Sequence, residues 1–180
     1  MTIPLQPRSE LPAGYPFDYE RQVALPAGKT AYFRPVVPGD AVVLAREAAL
    51  ADADTLYNRF FNPAIRLTNE RLRYLTEVDY HNRFALVAFV DGEAAAIGRF
   101  EPAGEGVAEV AMVVKSEWRR MGIATVMLQM LEVAAVERGI TKLEAYYLPS
   151  NHAVERVLDK RGFGKPTVES GVAQVTKNIG

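Results

Sequence analysis

The chain has no cysteine among its 180 residues. Disulfides, thiolate metal centres and a cysteine nucleophile are therefore excluded together, and the composition suits a reducing compartment. Histidine is nearly as scarce. His81 and His152 stand alone, without other ligating side chains clustered around them, so both read as structural or solvated residues and no metal is expected. No stretch approaches the roughly 20 continuous apolar residues of a membrane span. The segment from Met1 to Asp18 contains Pro4, Pro7, Pro12 and Pro16 and no apolar run, so it does not read as a signal peptide. An excess of charge is missing too: the formal net charge is −1, and no whole-molecule field draws the chain onto nucleic acid or an anionic membrane. The expectation is a cytoplasmic protein with neither as a partner.

What is present describes one folded domain. The length suits a single core, and 49% hydrophobic with 24% charged residues is the balance of an ordinary globular chain. Residues 1–20, rich in proline, read as an extended arm, and residues 21–180 as the domain. Arg21 to Leu25 and Thr30 to Val37 have strand character around the turn Pro26-Ala27-Gly28. Asp40 then stands as the N-cap of a helix reaching about Leu50. Leu56, Tyr57, Phe60 and Phe61 fall on one face of a second helical region, and Thr68 caps a third. Phe84 to Val90 and Ala94 to Phe100 flank Asp91-Gly92 and predict a hairpin.

Val107 to Val114 reads as a further strand. The clearest helix runs from Gly122 to Arg138. Ile123, Val126, Met127, Met130, Leu131 and Ala134 recur along it at one stripe of a 3.6-residue period, and Gly139 ends it. Leu143 to Leu148 is a strand, Asn151 caps a short helix that Gly162 stops, and two short strands close the chain. Helices alternating with strands around a central hairpin place the fold in the α/β (α+β) class, with a mixed sheet. The strand–helix–strand unit from Val107 to Leu148 predicts a right-handed crossover.

The chemistry concentrates between that buried strand and the long helix, in Lys115-Ser-Glu-Trp-Arg-Arg-Met-Gly-Ile-Ala124. A helix N-terminus exposes unpaired N–H groups and about half a positive charge. Arg119 and Arg120 stand just before it, Gly122 and Ala124 keep bulk off its backbone, and Thr125 adds a hydroxyl. That combination suits a pyrophosphate. Arg119-x-x-Gly122-x-Ala124 is weak as a pattern, and two solvated arginines before an ordinary helix would satisfy it; its placement after an apolar strand favours the anion site. Trp118 either packs beside a ligand there or covers the sheet.

Val110-Ala-Met-Val-Val114 followed by Arg119-Arg-Met-Gly-Ile-Ala124 resembles the acetyl-CoA signature of the GNAT superfamily of N-acetyltransferases. Asn151-His-Ala-Val-Glu-Arg-Val-Leu-Asp-Lys-Arg-Gly-Phe163 resembles its second motif. The likeness covers about Thr30 to Phe163. Leu56-Tyr-Asn-Arg-Phe-Phe61, Val78-Asp-Tyr80 and Ala108-Glu-Val-Ala111 are more narrowly similar to the GNAT domain of bacterial protein lysine acetyltransferases of the Pat type. The resemblance implies a mostly antiparallel central sheet flanked by helices and acetyl-CoA as co-substrate. It implies pantetheine pairing by the backbone of Met112, Val113 and Val114, with pyrophosphate held by amides of Arg119, Arg120, Met121, Gly122, Ile123, Ala124 and Thr125. Asn151 would contact the pantetheine near the thioester.

A lysine acceptor, with a pKa near 10.4, is protonated at neutral pH, so transfer needs a base. Glu109 matches the glutamate assigned that role in Pat-type domains; the competing reading is a charge at a solvent-exposed strand end. Many family members carry a tyrosine in the second motif as general acid, where this chain has Leu158. A CoA thiolate, with a thiol pKa near 8.5, can instead leave without a protein acid. Three functions remain open: acetylation of a protein lysine, acetylation of a small amine, and a CoA-binding sensor without turnover. A cluster of Glu70, Glu77 and Asp79 could favour a lysine, and the Leu56–Phe61 aromatic group reads as core, although its Tyr57 could border the acceptor channel.

Overall fold

In a computed structural model, described for residues 10–51, 55 and 67–180, one sheet organises the chain. Its strands are β1 (Arg21–Ala24), β2 (Thr30–Pro35), β3 (Phe84–Val90), β4 (Glu93–Gly104), β5 (Val107–Val114), β6 (Lys142–Tyr147), β7 (Thr167–Glu169) and β8 (Val172–Asn178). The order across the sheet is β1-β2-β3-β4-β5-β6-β8-β7. Every neighbouring pair is antiparallel except β5 and β6, which run parallel. The complete helices among the described residues are α1 (Ala41–Leu50), α2 (Asn69–Thr76), α3 (Ile123–Glu137) and α4 (His152–Lys160). The mixed, mostly antiparallel sheet expected above is therefore present. The expected Leu56–Phe61 helix lies outside the described residues.

The hairpin forms where Asp91-Gly92 predicted it. Both residues have positive φ, at 52° and 83°, the conformation a two-residue turn needs to match strand twist. β4 is longer than its apolar run. It continues through Glu101 and Pro102 because β5 still pairs with it there, past the last β3 rung at Phe84–Phe100.

All of β3 is buried, so alternate side chains feed two cores. Phe84, Leu86, Ala88 and Val90 join the larger one with α3 and α4, while Ala85, Val87 and Phe89 join a smaller one with Val36 and Val43 on the opposite face. α3 buries a wider face than its predicted stripe. Leu128 and Ala135 are fully buried, and Glu132 is drawn inward by Arg161 and by Lys177 at 2.8 Å.

The caps divide. Thr68 Oγ1 accepts from the Arg71 amide at 3.2 Å and Asn151 Oδ1 from Val154 at 3.3 Å, as expected. Asp40 does not cap α1 with its side chain. Its carboxylate turns back, accepting from the Val37 amide at 2.8 Å and pairing two-pronged with the Arg34 guanidinium at 2.6 and 2.8 Å. Both partners are nearly inaccessible. A buried guanidinium needs that charge more than an exposed helix start needs a cap. Residues 10–20 are tied to the core through buried Tyr15 and Tyr19. The Tyr19 ring meets Phe84 edge-on at 4.8 Å, and its hydroxyl bonds Glu137.

Candidate active site

Two neighbouring strands part company at the centre of the sheet. β5 and β6 pair through Val107–Lys142, Ala108–Leu143 and Glu109–Glu144, and there the ladder stops. β5 nevertheless runs on to Val114, held on its other edge by β4 as far as Ala96. β6 runs on to Tyr147, held by β8 as far as Ala173. Each strand follows the twist of its own antiparallel partner, so the two diverge and leave a wedge with backbone on both walls. Met112, Val113 and Val114 lie on one wall and are only partly buried. An extended ligand entering the wedge could take up the hydrogen bonds a ninth strand would make.

The wedge opens toward the loop before α3. Arg120 and Gly122 both have positive φ, 62° and 86°, which curls the chain around the helix start. Val126 makes the first backbone bond of α3, to Gly122 at 3.1 Å, so the amides of Ile123, Ala124 and Thr125 precede the helical ladder and carry its positive end. A Cβ at Gly122 would touch nothing within 4 Å, which leaves that side of the cradle open to a ligand. The Ile123 side chain is buried in the core, so its part in the loop is confined to the backbone. Arg119 donates to the Val114 carbonyl at 3.2 Å and to Thr55 Oγ1 at 3.0 Å. Trp118 packs against the larger core. With its Oδ1 engaged as the cap of α4, Asn151 keeps its amide NH2 to donate to a ligand.

Glu109 occupies the last rung before the wedge, with an exposed side chain on the face opposite α3. Register sets Glu101 of β4 beside it on one side and Glu144 of β6 on the other. Partners in register share a face, so three carboxylates form a row. Their surroundings differ. Glu101 lies 3.0 Å from Arg99 and 4.0 Å from Arg83 and accepts from the Tyr74 hydroxyl at 2.6 Å. Glu144 accepts from neutral donors, Tyr146 at 3.1 Å and Gln174 at 3.3 Å. The Tyr146 phenol is pushed upward from its usual pKa by burial, by its bond to Glu144 and by the charge of Glu109. Neither Glu101 nor Glu144 stood out in sequence, because cross-strand register is invisible there.

Of the acidic residues Glu70, Glu77 and Asp79 named above, Asp79 is held by its own loop, accepting from the amides of His81 at 2.9 Å and Arg83 at 2.8 Å. Those bonds hold its carboxyl below the usual range although partial burial pushes the other way. On the same sheet face as Glu109, α1 and α2 roof an apolar cavity of about 110 Å³ over Ile97, Ala111 and Val113. Lys115 stands at its rim, 3.0 Å from Glu47 and 3.0 Å from Glu117. Burial opposes its charge, but the two carboxylates outweigh that and hold its pKa above the usual value. Leu158 is buried in the core and has no proton to donate. Among the described residues no three His, Asp or Glu side chains converge to hold a metal ion, and no helix is long and apolar enough to cross a membrane.

The fold has known relatives. The model of the acetyltransferase (GNAT) family matches residues 50–163. The acetyltransferase Pat of Mycolicibacterium smegmatis is 32% identical over 144 residues, covering 78% of this chain and 43% of the relative, so the chain spans less than half of that protein's length. The crystal structure of the GNAT domain of S. lividans PAT superposes with a TM-score of 0.85 at 31% identity, covering 92% of this chain and 99% of that domain. A cAMP-binding acyltransferase from Mycobacterium smegmatis matches with a TM-score of 0.62 at 28% identity over 89% of this chain and 47% of its own. The chain belongs to the acetyltransferase (GNAT) family.

Proposed function

We propose that the chain is an N-acetyltransferase that takes its acetyl group from acetyl-CoA, that the acceptor is a lysine ε-amine on a protein, in the cytoplasm, and that Glu109 is the base. The observation that carries the reading is the wedge after the Glu109–Glu144 rung, a backbone-lined gap beside a carboxylate that in this reading takes the acyl donor. In this reading the pantetheine arm pairs with the backbone of Met112, Val113 and Val114. The pyrophosphate lies on amides between Arg119 and Thr125, and the Asn151 amide reaches the arm near the thioester.

The reaction then follows from charge. Glu109 takes a proton from the acceptor ammonium, directly or through water, and the freed lone pair attacks the thioester carbon. A β5 backbone N–H pointing into the wedge stabilises the oxyanion that forms. The intermediate collapses, breaking the C–S bond; its nitrogen gives a second proton to water and the CoA thiolate takes one up from water. Leu158 at the usual tyrosine position leaves water that last step. The relatives of the Pat type support the lysine acceptor.

The test is to incubate the chain with acetyl-CoA and a panel of lysine-bearing proteins, reading free thiol together with acetylated sites by mass spectrometry. Site-selective lysine acetylation above the no-enzyme control is expected. Rapid turnover of a small amine with no protein acetylation would replace the lysine reading.

A further inference from the structure

The geometry points to Glu144 as a specificity residue that holds the acceptor's ammonium beside Glu109. The inference rests on amine acetylation at this site and adds a second carboxylate to it.

An amine acceptor arrives charged and must shed water as it enters. Glu109 cannot both hold that charge throughout and remove its proton. A second negative group therefore has work to do, and the register supplies two neighbours, Glu101 and Glu144. They are not equivalent. Glu101 already faces Arg99 and Arg83 and receives the Tyr74 hydroxyl, so its charge is largely answered. Glu144 forms no ion pair among the described residues; Lys142, on the same face of β6, is not within bridging distance of it. Tyr146 and Gln174 fix both of its oxygens with neutral hydrogen bonds, and Gln174 also binds the Tyr146 hydroxyl at 2.9 Å. Those contacts hold the carboxylate in place without neutralising it. Glu144 is thus a preorganised negative charge at the vertex of the wedge, one strand from Glu109.

The experiment compares Glu144→Gln, Glu101→Gln and Glu109→Gln on two acceptors of equal length. One is a lysine peptide; the other carries an aminooxy group in place of the ε-amine, which is neutral at pH 7. Glu144→Gln should raise KM for the lysine peptide on the order of tenfold, as for loss of one charge-assisted contact. It should leave kcat within a few-fold and KM for the neutral acceptor unchanged. Glu101→Gln should change KM for lysine much less. A lysine KM unmoved by Glu144→Gln, or both acceptors weakened alike, overturns the inference. Glutamine preserves the side-chain shape, and an unchanged melting temperature checks the fold. If wild type instead acetylates a small cationic amine, the lysine reading fails while the same KM comparison on that amine still decides the role of Glu144.

Discussion

Gly98 lies directly beneath Met127. A Cβ added at Gly98 would sit 2.5 Å from the Met127 sulfur and 2.9 Å from its Cγ, and Met127 is fully buried. This single missing side chain lets α3 lie close on β4, and α3 in turn carries the amides of the proposed anion cradle. Gly98→Ala should therefore destabilise the fold by about 1–3 kcal/mol through overpacking. Combining it with Met127→Ala should cost less than the two single changes added, since each relieves the other. Urea unfolding of the three variants tests this, and strict additivity would contradict it.

Gly122 presents the opposite case, with open space beside it and a φ of 86°. Gly122→Ala should cost only the strain of a left-handed alanine, about 1–2 kcal/mol, and keep acetyl-CoA binding. Gly122→Glu adds a carboxylate facing the proposed pyrophosphate site. It should stay folded but lose the rise in melting temperature that acetyl-CoA gives wild type by mass action. A folded Gly122→Glu chain that still shows the full rise would move the phosphate site elsewhere.

Glu109→Gln should lower kcat by on the order of 10²- to 10⁴-fold, the range for loss of a general base, with acetyl-CoA affinity unchanged. Turnover at the wild-type rate with the same pH profile would return Glu109 to a surface role. Pre-steady-state thiol release separates this chemical step from product release.

These sites differ in how much of them could be read beforehand. The elements of the proposed anion cradle were legible because they are contiguous: an apolar strand, two arginines, a glycine and an amphipathic helix. The hairpin at Asp91-Gly92 and the caps Thr68 and Asn151 are equally local. Asp40 misled, since its partner Arg34 lies on β2 and its inward direction depends on the sheet. The Glu101–Glu109–Glu144 row was hidden for a stronger reason. Three residues on three strands become neighbours only once β5 has crossed over through α3 to pair with β6, and a register slip of one residue would send any of them to the other face.

Tyr80 gives the fold a measurable alkaline limit. Its hydroxyl donates to the Val36 carbonyl at 2.8 Å within the core, and it is 5% exposed. Burial, then the nearby charge of Asp40, push its pKa from 10.0 up to about 12, with Arg34 opposing. The folded state therefore favours the neutral phenol. Because the folded value is raised above the unfolded one, this contribution is fully present below pH 10 and is lost as pH rises through about 12. Tyr19 and Tyr32 are raised to about 12 in the same sense, so the decline is shared. Tyr80→Phe should start from a lower plateau at neutral pH, by about 0.5–1.5 kcal/mol for the lost hydrogen bond. Its stability should then fall less steeply than wild type between the two values, because the Tyr80 phenol no longer contributes to the proton difference between folded and unfolded chains. Urea midpoints measured across that window decide it: parallel curves for wild type and Tyr80→Phe would mean the ionisation of Tyr80 is not linked to folding.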